Sequence, residues 1–157
     1  MAGLVLSITQ LTRGLAAYRA QGLLHVPTYL TLLADAYRKV QRPQNGLQQL
    51  VEAISVTDRT QGRYYEPEIH RVRGELFLSM HDDGAAEASF RKAINVAQHQ
   101  SAKSWELRAA MSMARLRRDQ GKSQQAWELL APVYGWFTEG FDTLDLKEAK
   151  ALLAELA

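Results

Sequence analysis

PEIHRVRGELFLSMHDDGAAEASFRKAINVAQHQ, residues 67–100, is the stretch from which the fold can be read. Ile69, Val72, Leu76 and Phe77 recur at three- and four-residue steps, and so do Ala86, Phe90, Ile94 and Ala97 after a polar turn, HDDG at 81–84. Two such stripes joined by a short turn predict two antiparallel amphipathic helices, with Asp82 or Asp83 capping the second. The pattern extends in both directions at a fixed interval. Forty residues before and after Gly74 stand Ala34 and Ala114; around Ala86 stand Gly46 and Ala126; around Phe90, Leu50 and Leu130; around Ala93, Ala53 and Val133. A sustained period of this size marks a helical solenoid, in which each unit buries its apolar face on its neighbours. Small residues at the first two places let helix backbones approach where they cross, and the large one fills the gap to the next unit.

The flanks read the same way. Residues 4–21 carry Leu4, Ile8, Leu11, Leu15 and Tyr18 on one stripe, and Gly22 closes that helix. Pro27, Pro43 and Pro67 each open a helix, a place where proline is welcome. The second helix runs to about Gln41 with Leu30, Leu33, Ala34 and Tyr37 inward. The third carries Leu47, Leu50, Val51 and Ile54 and ends near Gly62. Ser104 is the expected N-cap of a sixth helix holding Trp105, Leu107, Met111, Ala114 and Leu116, ended by Gly121. A seventh, with Ala126, Leu129, Leu130 and Val133, is expected to break or kink near Pro132. After YGWFTEGF, Asp145 and Glu148 resemble a capping box for a last helix with Leu146, Ala149, Leu152, Leu153 and Leu156. The expected division is a leading helix at 1–26, units at about 27–66, 67–104 and 105–142, and a capping helix at 143–157, all in one domain.

Length and composition bound what such a chain does. With 157 residues it can bury about 68–70% of the surface of its unfolded form. Hydrophobic content of 46% and charged content of 23% are ordinary for a globular protein. Nineteen basic against seventeen acidic residues leave a net charge of +2, so an isoelectric point near 9.0 brings no field suited to nucleic acid. Without cysteine there is no disulfide, thiol nucleophile or thiolate metal site, which suits the cytoplasm. MAGLVLSITQ is too short an apolar run for a membrane span and has no basic leader.

The spacing within a unit, small residue, small residue twelve on, large apolar residue four further, resembles the tetratricopeptide repeat. That family's repeat is 34 residues long; here it is forty, with the twelve-residue spacing kept, so the extra residues lengthen the second helix and its exit loop. Arg73 and Arg117 stand where that pattern has apolar residues. The resemblance implies an all-α, right-handed solenoid of antiparallel helix pairs. A narrower resemblance covers SAKSWELRAAMSMARLRRDQGKSQQAWELLAPVYGWFTEGFDTLDLKEAKALLAEL, which is similar to the C-terminal end of large bacterial signalling proteins. In those, a nucleotide-cyclase or DNA-binding domain and a P-loop ATPase domain precede a long array. It implies that this chain forms the closing repeats of such a protein and contacts its upstream domains.

Catalytic constellations were sought and not found. His25, His70, His81 and His99 lack ligand spacing, and His81 with Asp82 and Asp83 reads as a polar turn rather than a metal site. There is no GxxxxGK[ST] and no GxSxG. No enzyme, cofactor or metal is expected of this chain. Trp136, Phe137 and Phe141 read as a seal for the open end of the array. In helical arrays the first helix of each pair lines the concave groove. The outward residues of those helices are Asp35, Arg38 and Lys39; Arg71 and Glu75; Arg115 and Arg118. Five of these seven are basic, which points to a groove for an acidic or carboxylate-bearing protein segment. The expected function is therefore a non-catalytic protein-interaction and regulatory module. Two alternatives remain open: self-assembly as a homodimer through Leu4, Val5 and Ile8, and a small-molecule-sensing helical domain of a transcriptional regulator.

Overall fold

The computed structural model describes residues 2–157, with side chains described from Ile8 onward except those of residues 20 and 21. The described residues form eight α-helices and no strand: α1 Ala2–Gln21, α2 Val26–Lys39, α3 Pro43–Thr60, α4 Glu66–Leu78, α5 Asp83–His99, α6 Lys103–Asp119, α7 Ser123–Gly135 and α8 Leu144–Leu156. A single 3-10 turn, Arg63–Tyr65, leads into α4.

Three of the expected helix starts hold, with proline in the first turn of α2, α3 and α4. The helix ends follow one device. Gln41, His81, Ser101 and Gly121 take the left-handed conformation, at φ of 59°, 60°, 54° and 74°. At each, two amides fold back on the last turn: Arg42 N donates to Tyr37 O at 2.9 Å and Gln41 N to Arg38 O at 3.0 Å. The pairs at Asp82 and His81, at Ala102 and Ser101, and at Lys122 and Gly121 repeat this between 2.8 and 3.0 Å. This is the Schellman arrangement, which satisfies the orphan carbonyls and reverses the chain within three residues. The next helix then starts two residues after the left-handed one. Asp82 uses its place to accept from Ala85 N at 3.0 Å and cap α5.

Two expected helix starts are corrected. Ala102, not Ser104, is the N-cap of α6, because the turn at Ser101 fixes where the helix begins. Asp145 and Glu148 form no capping box: Thr143 occupies the N-cap without a side-chain bond, and both carboxylates go to arginines of α6 instead. Pro132 does not end α7, which continues to Gly135.

Each helix packs on its predecessor, and α2, α4, α6 and α8 also pack on one another in a row. The even-numbered helices thus form one layer, against which the odd-numbered helices pack. Of the twelve residues that recur at forty-residue intervals, all are buried except the half-buried Val133. A Cβ built on Gly74 would clash with the edge of the Phe90 ring, 2.6 Å from Cδ1 and 2.8 Å from Cζ, and one on Gly46 would meet Leu76 Cδ2 at 2.7 Å and Ala34 O at 2.9 Å. Glycine is required at both by close approach. The core runs through the molecule in sequence: Leu30, Leu50 and Ile69 among α1–α4, then Phe90, Ile94 and Met113, then Leu107, Leu130, Leu146 and Leu152 under α8. Helix α6 serves the last two with opposite faces, so nearly all of its apolar residues are buried. Two expected core residues lie outside: Val51 is 70% exposed and Trp136 is 58% exposed, with Lys103 Nζ 5.7 Å from its ring. Only Phe137 of the expected aromatic seal packs on the core, and Phe141 is exposed. Leu4 and Val5 fall outside the described side chains.

Candidate functional site

The seven charged candidates lie on α2, α4 and α6, three of the even-numbered helices that pack on one another in a row. None of the seven stands free. On α2, Asp35 binds Arg38 and Lys39, both at 2.8 Å. Burial alone would push its carboxyl up, but the hydrogen bonds and charges of Lys39 and Arg38 outweigh it and hold Asp35 below the usual carboxylate range. On α4, Arg71 grips both oxygens of Glu68 at 2.7 and 2.8 Å and reaches Glu75 at 3.3 Å. Its side chain is only 16% exposed, so the expected open surface position is in fact a half-buried one. Burial disfavours its charge, yet Glu68, Glu75 and Asp35 together raise its affinity for the proton. Such a planar, bidentate pair is the strong form of an ion pair.

The remaining contacts cross from helix to helix. Glu68, 4% exposed, also takes Arg108 of α6 at 3.1 Å. Glu75 accepts from Ser112 of α6 at 2.7 Å. Arg115 meets Glu148 of α8 at 2.8 Å, and Arg118 meets Glu155 of α8 at 2.7 Å and its neighbour Asp119 at 3.0 Å. Arg108 extends to Asp145 of α8 at 3.9 Å. At the head of the layer Arg108 also lies 5.4 Å from the ring of Trp105, which stands edge-on to Tyr65. Burial, reinforced by Glu68, pushes the Tyr65 phenol up to about 12, so it stays neutral.

Glu68, Arg108, Ser112, Glu148 and Glu155 belong to this network although the groove reading did not include them. The signal was present in the repeat. Stepping by forty gives Glu68, Arg108 and Glu148 at one place, and Asp35, Glu75, Arg115 and Glu155 at another. Glu68 and Arg108 pair at that interval, whereas the α6–α8 pairs Arg115–Glu148 and Arg118–Glu155 lie 33 and 37 residues apart, and Asp35 and Glu75 carry like charge. The face is a ladder of matched charge, with α8 as an acidic helix seated on the arginines of α6.

The α2 end of this face is unbalanced. Arg38 and Lys39 share one carboxylate, beside a recess of about 780 Å³ that includes Gln41, Pro43, Ser79 and Met80. Among the described residues no three His, Asp or Glu side chains are grouped to hold a metal, and no helix is long and apolar enough to cross a membrane. No protein-family model matches the chain, and no curated protein matches it.

Proposed function

We propose that the chain is a non-catalytic protein-interaction and regulatory module: a right-handed, tetratricopeptide-like array of helix pairs with a forty-residue repeat. We place it in the cytoplasm, as the closing repeats of a larger nucleotide-cyclase or ATPase-type signalling protein. The left-handed turns at residues 41, 81, 101 and 121 and the row of even-numbered helices support the architecture. One observation carries the interaction reading: α8 lays Asp145, Glu148 and Glu155 along Arg108, Arg115 and Arg118. The inner face is thus built to take an acid-bearing segment by arginine–carboxylate pairs. At the other end of the layer Arg38 and Lys39 keep one charge in excess, and an acidic partner segment docks there. Binding biases the upstream domains by differential affinity for their states.

The test is capture of partner from lysate by wild type and by the double variant Arg38→Glu, Lys39→Glu. Both positions lie at the rim of α2, so the variant keeps its fold, whereas charge reversal at Arg71 would strongly destabilise the chain. Capture should fall by about tenfold or more and weaken in wild type as salt rises. Undiminished capture at low salt by the folded variant would overturn the reading. A second reading, self-assembly, draws on a recess of about 520 Å³ between α1 and α2 lined by Leu11, Tyr18 and Tyr29. A sedimentation coefficient that stays monomeric over a wide concentration range removes it.

A further inference from the structure

The odd-helix side carries a different chemistry. At forty-residue intervals α2, α4 and α6 hold Leu33, Arg73 and Met113. Leu33 and Met113 are core residues, 3% and 2% exposed, whereas Arg73 points out to solvent. Beside Arg73 a slot runs between α3 and α5. Its narrow lobe, about 200 Å³, has a wall of Leu47, Val51 and Ile54 from α3 and a base of Arg73 and Phe77. Its wider lobe, about 330 Å³, continues from the same Arg73 and Phe77 past His70 to Ser89 and Lys92 of α5.

The next slot along shows what is unusual here. Forty residues beyond Leu47 and Val51 stand Glu87 and Arg91, which close on each other at 2.6 Å. The α3 wall instead offers apolar surface to solvent. The two cations at the slot have no carboxylate partner among the described residues. Of the acids on α3, α4 and α5, Glu52 is held by Arg19, Asp58 and Glu66 by Arg63, Glu68 and Glu75 by Arg71 and Glu87 by Arg91, while Asp83 accepts from the Gln120 amide at 3.3 Å. The Arg73 guanidinium lies 5.5 Å from the Phe77 ring centroid, over its face. His70 is held neutral by burial, with Lys92 and Arg73 adding to that effect against Glu66.

An apolar channel with two uncompensated cations is complementary to an organic anion with an apolar tail. The narrow lobe decides the form of the tail. A helix is about 10–12 Å across with its side chains and does not enter it, whereas an unbranched alkyl chain does. We infer that the slot between α3 and α5 binds a medium-chain carboxylate or a like anionic amphiphile, the tail along Leu47, Val51 and Ile54 and the carboxylate on Arg73 and Lys92. The site is on the opposite layer from the acidic-segment face and stands independently of it.

Isothermal titration of the full chain with octanoate, decanoate and decanol, all below their aggregation concentrations, tests this. Decanoate should bind once per chain, about fifteenfold tighter than octanoate from two added methylenes, and about tenfold or more tighter than uncharged decanol. Arg73→Leu restores the apolar residue of the neighbouring units, so it should melt no lower than wild type and lose decanoate binding by about tenfold or more. Lys92→Gln should weaken binding severalfold with an unchanged melt. Absence of saturable decanoate heat, equal binding by the folded Arg73→Leu variant, or equal affinity for decanol would each overturn the assignment.

Discussion

Helix α4 carries two arginines, two residues apart, that meet opposite fates. Arg71 turns into the even-helix layer, where Glu68 and Glu75 hold it and Glu68 is shared onward with Arg108. Arg73 turns toward the odd helices, where it finds an aromatic ring, an apolar wall and no carboxylate. Residue type does not separate them, but the helix itself does: Arg71 has Glu68 three residues before and Glu75 four after, whereas the same steps from Arg73 reach Ile69, His70, Leu76 and Phe77. The adjacent helix then extends the difference, since Arg108 of α6 shares Glu68 while no carboxylate meets Arg73 among the described residues. Matched charge across helices makes a structural ladder; unmatched charge beside apolar surface makes a place for a ligand.

The largest effect that can test this contrast is Arg71→Glu. It places a third carboxylate beside Glu68 and Glu75 with no cation of its own, and breaking a buried pair in this way costs about 3–5 kcal/mol. Arg73→Glu, on the solvent side, should stay within about 0.5 kcal/mol. Equal urea midpoints for the two would show that the ladder contributes nothing. Next in size is Gly74→Ala, in the same helix turn but in neither charged region. Its Cβ displaces the Phe90 ring, and the overpacking should cost about 1–3 kcal/mol in chemical denaturation. A neutral outcome would mean that α4 and α5 can separate freely.

Smaller effects are expected at the far end of the ladder. The Arg115–Glu148 and Arg118–Glu155 pairs are 36–57% exposed, so alanine at either arginine should cost no more than about 1 kcal/mol, declining with salt. A salt-independent loss of several kcal/mol would place these pairs among the buried ones.

The smallest effect is in pH. His70 has its affinity for the proton lowered on folding, so its contribution is full above the unfolded value of 6.5 and is lost as pH falls through the folded value. Lys92→Gln removes a cation that opposes protonation and should shrink that loss. Asp35, also depressed, contributes above 3.8 and loses its share as pH falls through its own folded value, unaffected by Lys92. Urea midpoints followed from neutral pH downward should separate the two stages. A Lys92→Gln profile parallel to wild type throughout would dissociate His70 from the slot.

Much of the architecture was legible in the chain alone. Pro27, Pro43 and Pro67 mark helix starts because a missing amide costs nothing in a first turn. The forty-residue recurrence of Gly74, Ala86 and Phe90 with their counterparts located the crossings and the core, because packing density forces small against large wherever backbones approach. The sequence also placed charge on the even-numbered helices. It misassigned the ends of elements at Ser104 and Asp145, since several polar residues compete for each cap and only the turn geometry chooses among them.

The tertiary structure alone decided how the charges are used. Reading outward positions along each helix made Arg71, Arg115 and Arg118 a row of open cations; Arg71 has its carboxylates on its own helix, but for Arg115 and Arg118 periodicity reports only that they face away from the core and not what the next helix brings to meet them. Pairing is a distance between elements that are far apart in sequence, and Coulomb attraction falls with separation and with solvent screening. The apposition of α8 to α6 turned Arg115 and Arg118 into bridges, whereas the helices beside Arg73 and Lys92 bring them no carboxylate among the described residues.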